Sequence, residues 1–390
     1  MDPVRNPFAP GAGSQPPELA GRDQIIEDSS VALQRILLGR HDRSQLFLGL
    51  RGTGKTVLLN KIENMAEDSG FLTSLIEAPE NRDLAELLYP KIRQVLQKLS
   101  LVESAKDKAH RALRTLRSFA SVFKIKMGDA SISVDPEQGS ADSGNLEYDL
   151  SDLFVRVGEA AAAAGKGWAL FIDEVQYLKE NELAALIVAL HRIGQKQLPV
   201  IFFGAGLPQL AGLSGDAKSY AERLFRYSQV GPLDREAAKK AILEPILDEE
   251  ESITPEAIEL IYKKTRGYAY FLQEWGYQSW NMASQSPIDQ IAVVDASKAA
   301  LTRLDEGFFL VRFDRLTPKE KDYVVAMALL GEGPYRSSEV ADKLREPPSK
   351  LGPRRAQIIS KGMIYSPAYG DIDFTVPMFD DYVRRNWTLE

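Results

Sequence analysis

The stretch Leu46-Phe47-Leu48-Gly49-Leu50-Arg51-Gly52-Thr53-Gly54-Lys55-Thr56-Val57 decides how the rest of the chain is read. An apolar run ends in closely spaced glycines, followed by one lysine and one threonine. The segment Gly49 to Thr56 fits the spacing G-x-x-x-x-G-K-[ST] of a phosphate-binding loop. Bare backbone lets successive amides turn inward as an anion nest, and a helix starting near Lys55 adds the positive end of its dipole. The pattern predicts that Gly49, Arg51, Gly52, Thr53, Gly54, Lys55, Thr56 and Val57 surround a nucleotide. Lys55 then neutralises the β- and γ-phosphates, and the Thr56 hydroxyl is a Mg²⁺ ligand.

A second stretch strengthens this reading. Trp168–Leu178 (WALFIDEVQYL) places an acidic pair at the carboxyl end of an apolar strand. Asp173 suits the Mg²⁺ shell, and Glu174 suits a base that orients or deprotonates water.

Around these two sites strands and helices alternate, which predicts an α/β fold with a parallel sheet covered on both faces. Expected strands are Gln45–Leu48, Phe71–Glu77, Trp168–Ile172 and Pro199–Phe203. Residues 100–147 break the rhythm and read as an insertion. Within it Lys106–Arg117 is basic and helical. Ser121–Asp135 alternates about Gly128-Asp129 as a hairpin, with Lys124 and Lys126 on its polar face. After Pro232 the strands stop and four helices follow, to Arg312. From Leu316 three helices and two short strands, Met363–Ser366 and Ile372–Val376, spell a winged helix-turn-helix. The expected divisions are a flexible tail at 1–20 (or an arm draped on the surface), a core at 21–232, a helical lid at 233–312 and a winged helix at 313–390.

Composition bounds the partners. The chain has 390 residues, a net charge of −7 and no cysteine. Disulfides, thiolate metal sites and a cysteine nucleophile are excluded, and a reducing cytoplasm is the expected location. No apolar run reaches membrane-spanning length, so no membrane partner is expected. The net charge draws no nucleic acid globally; DNA contact needs a local patch. The third helix of the winged unit offers one, with Lys350, Arg354, Arg355, Gln357 and Lys361 as candidates for duplex DNA. Protein docking is the other use of such a unit. The aromatic run Tyr268, Tyr270, Phe271, Trp275, Tyr277 and Trp280 reads as helix packing.

In phosphate loop, acidic strand, helical lid and winged helix, taken in that order from Leu19, the chain resembles P-loop AAA+ ATPases of the origin-recognition and initiator-like clade and its bacterial relatives. The entry motif Gly21-Arg22-Asp23 belongs to the same pattern, and Arg22 is expected to line the base pocket. The resemblance implies ATP as cofactor with Mg²⁺, and ATP hydrolysis as activity. It also implies an arginine finger near Ser219–Leu233, so Arg223 or Arg226 is expected to reach the γ-phosphate of a neighbouring subunit. Two family features depart. Phe203-Gly204-Ala205-Gly206 lacks the polar residue of sensor 1, and Gly267-Tyr268-Ala269-Tyr270 has tyrosine where sensor 2 has arginine. These departures imply slow hydrolysis and a nucleotide switch that positions the winged helix on DNA, or else a nucleotide-gated signalling or defence adaptor that docks a protein.

Overall fold

The computed structural model describes residues 1–11, 16, 18–80, 82–125 and 139–389. Five parallel strands form the central sheet: β1 (Ser44–Leu48), β2 (Phe71–Glu77), β3 (Gly167–Asp173), β4 (Val200–Gly206) and β5 (Phe225–Gln229), in the order β2-β3-β4-β1-β5. The three central strands are buried throughout, as both-faces-covered strands must be, while the edge strands β2 and β5 are part exposed. Helices Asp23–Leu37 and Lys55–Asp68 pack Leu33, Ile36, Leu58 and Ile62 on one face, against Phe47, Phe171 and Phe203. Helices Leu84–Ser100, Lys106–Val122, Leu146–Ala163 and Glu180–Gln195 cover the other.

Arg235–Asp248, Pro255–Thr265, Ala269–Met282 and Gln290–Leu304 form a helical layer. Thr254 caps the second, accepting from the Ala257 N–H. The C-terminal unit holds Pro318–Ala328, Ser337–Leu344 and Pro348–Ser360. Its antiparallel sheet joins β6 (Tyr335–Arg336), β7 (Ile364–Tyr365) and β8 (Asp371–Phe374) in the order β6-β8-β7, and Phe379–Asn386 closes it. The helical layer and this unit share one apolar core, in which Phe309 and Phe313 lie against Phe379 and Tyr382. The last of the four expected helices does run to Arg312, but it starts at Gln290 and passes through a π-helical turn, Asp305–Phe309, between Leu304 and Leu310–Phe313.

Other expectations are corrected. The hairpin was to start at Ser121, but α-helix runs to Val122; residues 126–138, including Lys126 and the Gly128-Asp129 turn, lie outside the described residues. The expected finger segment contains a strand, β5. The C-terminal sheet has three strands, not two. The third helix of this unit begins at Pro348 and carries Pro353 inside it.

The N-terminal arm is laid on the helical layer rather than free. Asn6 donates to the Tyr277 carbonyl at 3.0 Å and to Asn281 Oδ1 at 2.9 Å. Phe8 is 2% exposed. Its ring rests on Gly276, where an added Cβ would stand 2.7 Å from ring carbon.

Candidate nucleotide site

The site sits at the carboxyl ends of the strands, where open α/β sheets place ligands. The loop after β1 turns through Gly54 at φ 90°, a left-handed conformation that suits glycine. Gly49 is pressed against β5's exit: a Cβ there would stand 2.1 Å from the Val230 carbonyl oxygen. Lys55 opens the next helix, and its ammonium donates to the carbonyls of Gly49 and Leu50, both at 2.9 Å. Burial pushes the Lys55 pKa down, against the pull of Glu174 and Asp173.

Asp173 ends β3. Its Oδ2 accepts from the Thr56 hydroxyl at 2.5 Å, and its Oδ1 from the Glu174 N–H at 2.8 Å. Burial raises the Asp173 pKa, the Thr56 hydrogen bond opposing. Glu174 adopts a left-handed backbone, φ 55°, uncommon for a non-glycine residue. That turn carries its carboxylate away from Asp173's role and toward the loop. Gln176 donates to the Glu174 carboxylate, and its own Oε1 accepts from the Leu207 N–H at 3.0 Å. Arg51 Nη1 lies 3.9 Å from Glu174 Oε1, and Arg51 Nη2 donates to the Tyr177 hydroxyl at 2.5 Å.

A cavity of about 380 Å³ opens beside the loop. Arg51, Gly52, Thr53, Gly54, Lys55, Thr56, Val57 and Glu174 line one end; Leu19, Ala20, Leu233, Ala241 and Leu272 make the other apolar. Ala9 and Gly11 of the N-terminal arm also reach it. Tyr270 lines it from the helical layer, and its backbone N–H donates to the Gly52 carbonyl at 3.1 Å. A polyanion-binding end joined to an apolar end is the shape of a nucleotide: phosphates on amides and lysine, base among aliphatics. The paired Thr56 hydroxyl and Asp173 carboxylate suit an oxygen-preferring Mg²⁺ bound beside phosphates.

The expected residues divide. Those of the loop, with Asp173 and Glu174, come together. Arg22 lines the cavity, but its guanidinium is occupied: it donates to the carbonyls of Thr53, at 3.2 Å, and Gly231. Arg226 lies opposite Gln45 at the start of β1, toward the far end of the sheet, and pairs with Asp28 at 2.9 Å. Arg223 is exposed in a short helix. Neither lines the cavity. Of the five DNA candidates, Arg354 pairs with Glu346 at 3.1 Å, Lys361 with Glu320 at 2.6 Å, and Arg355 donates to Ser337 at 2.9 Å. Lys350 and Gln357 are exposed.

Sequence reasoning missed Gln176, Tyr177 and Arg312. The first two were findable, being next to the acidic pair. Arg312 had no local signal: it comes from just after the π-helical turn, lines the cavity, and lies over the Phe308 ring at 3.8 Å. Burial lowers its pKa to about 10, with Arg51 acting in the same direction.

The comparisons agree with this geometry. Residues 18–203 match the family model of the AAA ATPase domain, and residues 306–383 match a domain of unknown function. No curated protein matches. Among solved structures, the Walker-type ATPase PABY2304 of Pyrococcus abyssi aligns over 95% of this chain and 99% of its own at 18% identity, TM-score 0.58. The Holliday junction branch migration motor RuvB of Thermotoga maritima (15% identity, 97% and 100% covered, TM-score 0.47) and the Orc1 protein of Aeropyrum pernix in complex with DNA (12%, 98% and 96%, 0.49) are more distant. Among the described residues, no helix is long and apolar enough to cross a membrane. Phosphate loop, acidic strand end and matched segment agree: residues 18–203 match the AAA ATPase domain, on an α/β fold like that of P-loop ATPases.

Proposed function

We propose that this protein is an ATP-operated switch: a slow, Mg²⁺-dependent ATPase whose nucleotide state sets how its C-terminal winged helix sits on the core. Lys55 and the loop amides bind the phosphates, Thr56 and Asp173 hold the cation, and Glu174 orients the attacking water. Mg²⁺, when bound, offsets phosphate charge as the bond to the leaving group breaks. Gly204-Ala205-Gly206 offers no polar side chain at the sensor 1 position, which supports slow turnover.

One observation carries the switch. The Arg51 N–H, inside the phosphate loop, donates to the Thr375 carbonyl at 3.0 Å, just beyond β8. Gly362 presses on the same arginine: a Cβ there would lie 2.6 Å from Arg51 Nη2 and 2.6 Å from the Tyr177 hydroxyl. The loop that must close on phosphate therefore also holds the C-terminal unit. A change at one is felt at the other through a single residue.

The ion pairs of Arg354 and Lys361 favour a unit that docks on protein, its own core or a partner, over one that reads DNA. Arg223 is the more available finger if copies associate, because Arg226 is held by Asp28. The experiment is steady-state ATP turnover with and without duplex DNA, run beside a distance measurement. The chain lacks cysteine, so Leu101→Cys with Tyr369→Cys, both exposed positions, gives a clean labelled pair. A distance that differs between ATP and ADP supports the switch; one that ignores nucleotide refutes it. Turnover that rises with DNA would restore the DNA reading.

A further inference from the structure

Arg312 places a cation on the wall of the cavity. It is half-buried, and among the described residues it forms no ion pair. Its only hydrogen bond there runs from Nη1 to the Phe308 carbonyl, at 2.9 Å. A buried guanidinium without a carboxylate is costly unless something supplies the counter-charge. The neighbourhood relieves it only in part: Arg51 and Arg315 share its field, and Tyr270 and Glu174 oppose them.

The group is nonetheless held in place. Tyr270 stacks on Phe308 at 4.9 Å, and Phe308 on the Arg312 guanidinium at 3.8 Å. This three-layer stack fixes a planar fork at the wall of the cavity that Lys55, Thr56 and Glu174 also line. A rigid, pre-aimed fork loses little freedom on binding an oxyanion. Tyr270, the outer layer of the stack, donates its backbone N–H to the Gly52 carbonyl at 3.1 Å, which ties the fork to the phosphate-loop side of the cavity.

We infer that Arg312 binds the terminal phosphate of a nucleoside triphosphate bound in its own chain, making the domain of unknown function at 306–383 part of the nucleotide site. This rests on the nucleotide reading above. It gives the switch a sensor: a triphosphate ties the core to the segment entering the C-terminal unit, and a diphosphate lets it go.

The test is calorimetric titration of ATP, ADP and AMP, each with Mg²⁺, into wild type, Arg312→Met and Lys55→Ala. Methionine keeps the stem over Phe308 and removes the fork. The expected result is a loss for ATP of roughly 10–100-fold, the worth of one charge-assisted hydrogen bond. ADP should weaken by less than about 3-fold on the same scale, and Lys55→Ala should weaken both. Equal affinities in Arg312→Met and wild type would overturn the inference while leaving the nucleotide site standing. So would equal losses for ATP and ADP, which mark a purely structural prop. No binding by wild type would overturn both readings. Should Arg312→Met fail to fold, Arg312→Lys decides: it keeps the charge but not the fork, and unchanged ATP-over-ADP preference would refute the inference.

Discussion

At the scale of single residues the site is a set of opposed charges kept apart by geometry. Asp173 carries a burial penalty that raises its pKa above the ordinary 3.8. A carboxylate whose folded pKa is raised favours folding most when protonated, so its penalty is absent below about pH 4 and grows as pH rises through the folded value. Asp173→Asn removes the charge and keeps an acceptor for Thr56. The nucleotide-free variant should melt about 2 °C higher than wild type at neutral pH, the gap closing near pH 4, and it should lose Mg²⁺-dependent ATP binding. Melting curves across pH read the first effect and titration the second. Glu174→Gln should retain ATP within about 3-fold and lose turnover by at least ~100-fold; released phosphate measures it. These two acids and the loop were legible in sequence because each signature is local: residues 46–57 and 168–178 each carry their pattern within a dozen consecutive positions. Arg312 was not, since more than two hundred residues separate it from Lys55 and only packing brings them together.

At the scale of elements the N-terminal arm matters most. Its seat is a glycine, and the seat's shape makes a sharp prediction. Gly276→Ala would normally favour a helix, yet here the new methyl collides with Phe8. Phe8→Ala empties the same contact from the other side, forfeiting ~1.5–3 kcal/mol of apolar burial. Both variants should free the arm, speed nucleotide release and open residues 1–11 to protease, with little change in the melting of the sheet. Stopped-flow displacement of a fluorescent nucleotide reads the release rates; unaltered rates would mean the arm is ornamental. The sequence showed the arm only as proline- and glycine-rich, because one buried phenylalanine among small residues carries no periodicity. Strand β5 was missed for a related reason. Phe225–Gln229 is an edge strand with one buried residue in five, so its pattern is that of a loop. The buried strands β1, β3 and β4 were plain as continuous apolar runs, although β4 runs on through Gly206.

At the scale of the whole molecule, three units meet on one loop. Gly362 is left-handed, φ 65°, and crowded by Arg51 and Tyr177. Gly362→Ala should lift the C-terminal unit off the core by pressing on Arg51 and Tyr177, with no cavity residue itself replaced. The expected signs are a longer distance between the labels at 101 and 369 and a basal turnover raised several-fold, roughly what ~1 kcal/mol of lost contact allows. A shorter or unchanged distance would say the contact is incidental. The three helices and strands of this unit were readable from caps and turns, such as Thr317 with Glu320. Which of its basic side chains are free was not, because Glu320 and Glu346 find Lys361 and Arg354 only in the folded unit.

A ribosome makes the arm well before its seat. Asn6 waits for Tyr277 and Asn281 across some 270 residues. A nascent chain that has emerged through β5 can form the sheet and its phosphate loop, but the far wall of the cavity does not yet exist. Nucleotide is therefore held firmly only once the helical layer has folded and the arm has come back to it, and until then the growing polypeptide carries its site open.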